Sequence, residues 1–229
     1  MRVVFQLAVA LALSLSAGCE FPRDPEQSLD EIRRGVLRVG VVDNPPWAVH
    51  GAAEPGGVEP ALLRELAAQL GARIQWVQGP EQELLRALEK GVLHVVVGGF
   101  ADDNPWTARL GKTRPYYTTR FIVAARRQAP PLTELARVPV AAAVGSAAAG
   151  HLRERGARPA PPDWQYRALP SWRLPDSGLQ PTGLTLYEDR QVMLVTKGEN
   201  GWLVTLERFL DAQRPRIEAL LREQARASP

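Results

Sequence analysis

Glycine, acidic and aromatic residues cluster directly after a short apolar run, His94–Val97, which the sequence predicts to be a buried strand. They are Gly98, Gly99, Phe100, Asp102, Asp103 and Trp106. Trp47 follows an earlier predicted strand in the same way, and ligands of open parallel sheets bind beyond the carboxyl ends of the strands. Glycine lets a ligand approach the backbone, an aromatic ring stacks on it, and a carboxylate neutralises a cation. The spacing therefore predicts a ligand-binding site at these residues.

Catalysis is the alternative chemistry for the same region. Asp102, Asp103 and Glu59 can in principle serve as a general acid or base. No nucleophile or second acid pairs with them in the sequence, and no Ser-His-Asp or Cys-His arrangement is present. The histidines lack the spacing of zinc ligands: His50, His94 and His151. We therefore expect a protein that is not an enzyme and that holds no metal and no cofactor.

The elements that must position this site alternate between strand and helix patterns. Predicted strands cover Val36–Val42, Arg73–Val77 and Leu93–Val97, and predicted helices cover Glu59–Leu70 and Glu81–Lys90. A glycine follows each helix and is typical of a helix C-terminus. This alternation predicts a parallel sheet with right-handed crossovers, in which the loops after the first and third strands meet.

A second unit follows Tyr117. Strands are predicted at Arg120–Ala125 and Pro139–Val144, and Ser146 can cap a helix that runs to about Arg155. Residues 158–181 are rich in proline, so at most one short strand, Gln165–Leu169, fits there. The last predicted elements are a strand at Arg190–Thr196 and helices at Glu199–Asp211 and Pro215–Arg226.

The N-terminus has the pattern of an export signal. Arg2 precedes an apolar run, Val3–Leu15, that is shorter than the roughly 20 residues of a membrane-spanning helix. The run ends in small residues before Cys19, the single cysteine of the chain, and this resembles a bacterial lipoprotein signal. We predict that residues 1–18 are a signal peptide, that Cys19 is lipidated, and that residues 19–34 tether the protein to a bacterial membrane in the periplasm. A plain signal peptide with an incidental thiol is the alternative.

Composition excludes two classes of partner. The 28 Lys and Arg residues and 25 Asp and Glu residues are spread along the chain, and no basic block with interleaved aromatics indicates nucleic acid. No later segment is long and apolar enough to cross a membrane. About 210 residues remain after the signal, enough for two small lobes.

The order of these segments resembles the bacterial extracellular solute-binding proteins of family 3, the periplasmic receptors of polar amino acid importers. The resemblance is carried by "GVLRVGVVDNPPWAVHG", "LLRALEKGVLHVVVGGFADDNPWTARLGKTRPYYTT", "VPVAAAVGSAAAGHLRERG" and "QVMLVTKGENGWLVTLERFL". It implies an α/β, two-lobed periplasmic binding protein-like fold of type II that closes on a small ligand. We expect a discontinuous first lobe of residues 35–121 and 186–229, and a shortened second lobe of residues 122–185 that has lost a strand–helix unit.

The family's binding positions carry over unevenly. Trp47 matches an aromatic residue after the first strand, where it either forms a ligand-facing wall or only packs the loop. Gly98–Gly99 match the backbone that approaches the ligand. Trp106 stands where amino acid binders place the arginine for the α-carboxylate, and Ala101 replaces a hydroxyl residue; Arg109 is a candidate substitute for the arginine. Gly145–Ser146 match a turn that offers free N–H groups to an anion, although a simple helix cap explains them equally well.

The aspartate that holds the ligand's ammonium group in the family is also missing, since Ser171 or Trp172 stands nearest to its place. We therefore expect a monomeric binding protein whose ligand is not an ordinary α-amino acid but a group recognised by stacking, such as an aromatic, a sugar-like ring or a cation. It passes this ligand to an ABC importer. The alternatives are an accessory or sensory protein with a degenerate cleft and an enzyme on the same fold. Because the sequence ends at Pro229, we expect no appended lytic domain of the kind that some cell-wall enzymes add to this fold.

Overall fold

The computed structural model describes residues 24–227. Its first half forms α1 (Ser28–Arg33), β1 (Val36–Val41), α2 (Val58–Leu70), β2 (Arg73–Gln78), α3 (Glu81–Glu89), β3 (Val95–Ala101), a 3₁₀ turn (Pro105–Arg109), β4 (Gly111–Lys112) and β5 (Tyr117–Ala125). The second half forms β6 (Pro139–Ala141), α4 (Ala147–Glu154), β7 (Arg158–Ala160), β8 (Tyr166–Pro170), a 3₁₀ turn (Ser171–Arg173), β9 (Gln180–Val195), α5 (Asn200–Asp211) and α6 (Arg214–Ala227).

One mixed sheet runs through the protein in the order β2-β1-β3-β9-β5-β8-β6-β7, and β4 pairs with β9. β1 lies between β2 and β3 and is parallel to both, as the alternating pattern predicted. At the other end β6 is parallel to β7 and β8. Each parallel group buries its own core, so the sheet has two ends with separate packing.

Two long antiparallel strands, β5 and β9, join these ends. Their register pairs Thr119 with Asp189 and Tyr117 with Gln191, and β9 alone spans 16 residues. Side chains alternate between the faces of a strand, so Asp189 and Gln191 point to the same side. One face of β5 and β9 therefore extends continuously from the β1–β3 end of the sheet to the β6–β8 end.

The cores at the two ends differ in size. The largest cluster packs β1, β3, α2, α5 and α6 around fully buried residues such as Leu62, Met193 and Trp202. A second cluster lies on the α3 side, around Leu88 and Phe100. The cluster at the β6–β8 end is smaller and includes Val140 and Leu152. Since burial of apolar area is the main stabilising term, the β1–β3 end is the more stable part.

Three features differ from the sequence-based expectations. β3 continues through Gly98 and Gly99 to Ala101, because Phe100 and Ala101 still pair with β9. The proline-rich residues 158–181 contain β7 and the start of β9 besides β8, so the expectation of a single strand there was wrong. Residues 28–33, expected in the tether, form α1; its Ile32 is fully buried in the largest core.

Candidate ligand-binding cleft

The loop after β1 places Trp47 against the end of β3. Its indole ring is only 5% exposed and contacts Tyr116 and Tyr117, with ring centroids 6.1 and 5.7 Å apart. Gly99 has φ +63°, and a Cβ built on it would overlap the Trp47 ring. Glycine at position 99 is thus required both by its backbone conformation and by the close approach of Trp47.

Glu59 fixes this corner of the molecule from the first turn of α2. Its Oε2 accepts hydrogen bonds from the N–H groups of Gly98 and Gly99, each at 2.8 Å, and its Oε1 accepts one from the Tyr116 hydroxyl at 2.6 Å. The side chain is fully buried, and this burial raises the pKa of Glu59 to about 7 although the three hydrogen bonds lower it. The β3 glycines and Tyr116 are therefore held by a single buried carboxyl.

A cavity of about 320 Å³ opens beside Trp47, and we call it the cleft cavity. It lies where β5 and β9 run side by side, between the Trp47 loop and the 3₁₀ turn after β8. Its lining combines apolar and polar side chains: Trp47, Phe121, Trp172, Thr119, Gln191, Asp189, Arg173 and Gln224. Its wall is divided between apolar and polar side chains, and small-molecule sites likewise combine apolar surface with placed polar groups.

Asp189 is the one carboxylate in the lining of the cleft cavity. Burial raises its pKa, the nearby charge of Asp103 raises it further, and His151 lowers it. Beside it the Thr119 hydroxyl donates to the Gln191 side-chain oxygen at 3.1 Å, and both residues are only 2% exposed. The floor of the cavity is therefore polar, rigid and negatively charged when Asp189 is ionised.

A second cavity of about 560 Å³, the side cavity, adjoins the first. The two share Phe121, Pro170 and Arg173 in their linings. The side cavity continues toward the N-terminus of α4 at Ser146 and toward Arg167 on β8. Together the cavities form a groove from the β1–β3 end to the β6–β8 end of the sheet.

A comparison with a family model identifies the family of this chain. The model of the bacterial extracellular solute-binding proteins, family 3, matches residues 37–219. The chain belongs to this family. As a member it is a solute-binding protein, and the expected α/β, periplasmic binding protein-like fold is confirmed.

Solved structures support the fold at low sequence identity. An ancestral cationic amino acid solute-binding protein, AncCDT-1, superposes with a TM-score of 0.69 at 18% identity, covering 86% of this chain and 98% of that one. The L-cystine solute receptor of Neisseria gonorrhoeae, in its unliganded open conformation, gives 0.64 at 16% identity, covering 82% and 92%. An ancestral cyclohexadienyl dehydratase gives 0.63 at 18% identity, covering 86% and 96%, so an enzyme also carries this fold.

This chain resembles only a part of each curated relative. The membrane-bound lytic murein transglycosylase F of Vibrio cholerae is 33% identical over 97 residues, which are 42% of this chain and 18% of the relative. That of Vibrio campbellii is 32% identical over 131 residues, which are 55% of this chain and 24% of the relative. The chain spans about a quarter or less of the length of these relatives.

The structure brings some of the predicted site residues of this solute-binding protein to the groove. Trp47 and Gly99 line the cleft cavity, and Ser146 lines the side cavity. The Ser146 hydroxyl also caps α4 by accepting from the Ala149 N–H at 3.2 Å, with Gly145 in the preceding turn at φ +77°. Gly98 lies against Val42, and its N–H donates to Glu59.

Other predicted residues lie elsewhere. Phe100 is 4% exposed in the core on the α3 side of the sheet, because alternation turns it away from Gly99. The Asp102 carboxylate pairs with Lys112 at 2.5 Å and with Arg190 at 2.6 Å. Asp103 is exposed, and Trp106 belongs to a 3₁₀ turn. Phe100, Asp102 and Asp103 are in the lining of neither described cavity, and the Trp106 side chain and Cys19 lie outside the described part of the chain.

Sequence reasoning missed the residues that β5 and β9 contribute. Thr119, Phe121, Asp189 and Gln191 all line the cleft cavity. A signal was present, since these residues occupy alternate positions of two segments rich in strand-forming residues. Arg173 gave no such signal, because a 3₁₀ turn in a proline-rich segment positions it, and Trp172 was named only as standing near the family's missing aspartate.

Two other features are absent from the described range, residues 24–227. In that range no group of three or more His, Cys, Asp or Glu side chains could hold a metal ion. No helix within the same range is long and apolar enough to span a bilayer.

Proposed function

We propose that this protein captures a small solute in the cleft cavity, between a first lobe of residues 35–121 and 186–229 and a second lobe of residues 122–185. One observation carries the proposal: the cavity is lined from both sides of the β5–β9 crossing, by Trp47 and Gly99 on one side and by Trp172 and Arg173 on the other. A ligand that touches both sides stabilises a closed arrangement over an open one.

The ligand is a molecule other than an ordinary α-amino acid. The positions at which the family's amino acid binders hold the two charges carry Trp106 and, near the second crossing, Ser171 or Trp172. Stacking is supported by Trp172 and Phe121, which are both partly exposed in the cavity wall. Trp47 contributes little stacking surface, because its ring is 95% covered by its neighbours.

The action on this solute is binding without chemical conversion. An acid–base mechanism needs a carboxyl or imidazole within reach of the ligand. Glu59, the side chain with the raised pKa of about 7, is fully buried and already bonded to three donors, and it is not in the lining of either cavity. Asp189 has no second acid beside it in the cavity lining.

The protein works from a membrane in the periplasm and delivers its solute to an ABC importer. The family is one of extracellular proteins, and the matching curated relatives are named as membrane-bound. Lipidation of Cys19 explains the attachment. Replacing Cys19 by Ser moves the protein to the soluble fraction if the lipid is the anchor; a variant that remains with the membrane contradicts the tether.

An accessory role is the second candidate, and the lytic transglycosylase relatives favour it. The match covers a minor part of each relative, and this part corresponds to the solute-binding segment here. In that role the protein senses a solute for a cell-wall enzyme or another partner, without transport. The two candidates differ in the protein that co-purifies with the chain after mild crosslinking in its host, a permease in one case and a cell-wall enzyme in the other.

A thermal-shift screen of the full chain in detergent tests capture itself. Amino acids, amines, sugars, aromatic compounds and short peptides are compared, since a ligand at about 100 times its Kd stabilises the folded state by about 2.7 kcal/mol. We expect a rise in Tm with at least one class other than amino acids. Micromolar stabilisation by a common amino acid contradicts the proposed ligand preference, and no response in any class contradicts capture.

A further inference from the structure

Two arginines of the side cavity have no acidic partner. Arg167 and Arg173 are in its lining, and within residues 24–227 neither forms an ion pair. Arg173 lies over the ring of Trp172, with its Cζ 5.4 Å from the ring centroid. The acid of this cavity, Asp176, faces Arg226 at 3.7 Å. Two arginines therefore remain free to pair with an anionic group that enters the cavity.

The cleft cavity has one charged side chain of each sign, Asp189 and Arg173. Its carboxylate is Asp189, which belongs to the crossing strand β9, whereas Arg173 is in the 3₁₀ turn after β8. These two groups form no ion pair in the described part of the chain, so their charged atoms are more than 4 Å apart. Along the groove, Asp189 lines the cleft cavity alone, Arg167 lines the side cavity alone, and Arg173 borders both.

The volumes set the size of what fits. The cavities measure about 320 and 560 Å³, and their linings share Phe121, Pro170 and Arg173. Each already falls within the roughly 300–1,000 Å³ of pockets for drug-sized ligands. Ala141, Ala142 and Ala143 leave the far wall of the side cavity smooth and apolar, which suits side chains or a backbone of varied sequence.

We propose that the two cavities form one elongated site for a short peptide of two or three residues. Its ammonium end lies at Asp189 in the cleft cavity, and its carboxylate lies at Arg167 and Arg173 in the side cavity. Planar guanidinium groups pair with a carboxylate through two parallel hydrogen bonds, which makes the free C-terminus a recognised feature. The inference rests on the proposed capture function and names its ligand class.

The experiment measures binding of trialanine, dialanine and alanine to the full chain by calorimetry, together with N-acetylated and C-amidated trialanine. We expect trialanine or dialanine to bind at least about tenfold more tightly than alanine. Blocking either end should weaken binding by about tenfold or more, as expected when a charge-assisted pair is lost.

Variants assign each end of the peptide. In the double variant Arg167→Gln/Arg173→Gln, trialanine and C-amidated trialanine should bind equally weakly. In Asp189→Asn, trialanine and N-acetylated trialanine should bind equally weakly. Arg158→Gln is the matched control, because Arg158 is an exposed arginine of β7 that is absent from both cavity linings. Circular dichroism confirms that each variant is folded.

Three outcomes overturn the inference. The inference is contradicted if alanine binds as tightly as its peptides, or if an amide binds as tightly as the free acid. It is also contradicted if no member of a tripeptide set with apolar, aromatic and cationic side chains binds. If peptides fail while another solute raises the Tm, capture stands and the peptide assignment falls. If no solute of any class binds, both fall together.

Discussion

The two walls of the groove, around Trp47 and around the side cavity, differ in whether their polar groups have partners inside the protein. Around Trp47 each polar group has a partner inside the protein: the Gly98 and Gly99 N–H groups and the Tyr116 hydroxyl meet Glu59, and aromatic rings cover the indole. Around the side cavity, Arg167 and Arg173 lack acidic partners among residues 24–227. The difference indicates that the first wall fixes shape, whereas the second offers charge to a ligand.

The largest expected effect is on the first wall. Gly99→Ala should reduce the free energy of unfolding by about 2–5 kcal/mol, because a side chain at this positive φ is strained and its Cβ also displaces Trp47. Gly178→Ala is the control, with a similar φ of +68° and no atom near the added Cβ. It should lose only about 1–2 kcal/mol. Urea denaturation measures both, and equal losses would contradict the tight contact at Trp47.

The second effect concerns Glu59 and pH. Its pKa is raised to about 7 in the folded protein and is ordinary in the unfolded chain, so the folded state binds the extra proton between the two values. The contribution of Glu59 is therefore fully present below its unfolded pKa and is lost as pH rises toward about 7. The change amounts to a few kcal/mol, on the order of 1.4 kcal/mol per pKa unit.

Glu59→Gln should flatten this slope, because the amide stays neutral and its oxygen still accepts the glycine N–H groups. The urea midpoint of each protein is measured at a series of pH values from about 4 to about 8. These measurements give the two stability profiles. Identical profiles for the variant and the wild type would show that the pKa of Glu59 is the same in the folded and the unfolded protein, so that the three donors offset its burial.

A smaller effect is expected where the second wall is attached to the sheet. Arg155 at the end of α4 donates to the carbonyl oxygens of Thr185 and Leu186 on β9, at 2.9 and 2.8 Å. Arg155→Ala should cost about 1 kcal/mol of unfolding free energy. Arg153→Ala, a change at an exposed arginine of the same helix, should cost close to nothing, and a similar loss in both variants would show that these hydrogen bonds contribute little.

The smallest effect is expected at Asp102, which the sequence pointed to as a partner for a cationic ligand. Arg190 and Lys112 hold its carboxylate, and their side chains are 60% and 39% exposed. Arg190→Ala should change stability by less than about 1 kcal/mol. It should leave solute binding unchanged, since neither residue lines the groove. A changed Kd for the solute in this variant would indicate that Asp102 is part of the site.

Local pattern was enough for much of the fold. The periodic leucines of α2 and α3, the glycine after each helix and the apolar strands between them predicted the parallel unit β1–α2–β2–α3–β3 to within a few residues. The proline-rich segment was harder, because β7 and the first half of β9 form by pairing with distant strands and have weak patterns of their own.

The candidate site divides in the same way. Sequence alone determined the positions of Trp47, Gly99 and Ser146, because strand ends and helix starts have local signals that place them at one edge of a sheet. Only the tertiary structure decided that Asp102 pairs with Arg190 and Lys112, that Phe100 turns into the core, and that Asp189 and Arg173 face the groove. Charge pairing and facing direction depend on the register of β9 against β5 and β3, which joins residues 55 or more positions apart in the chain.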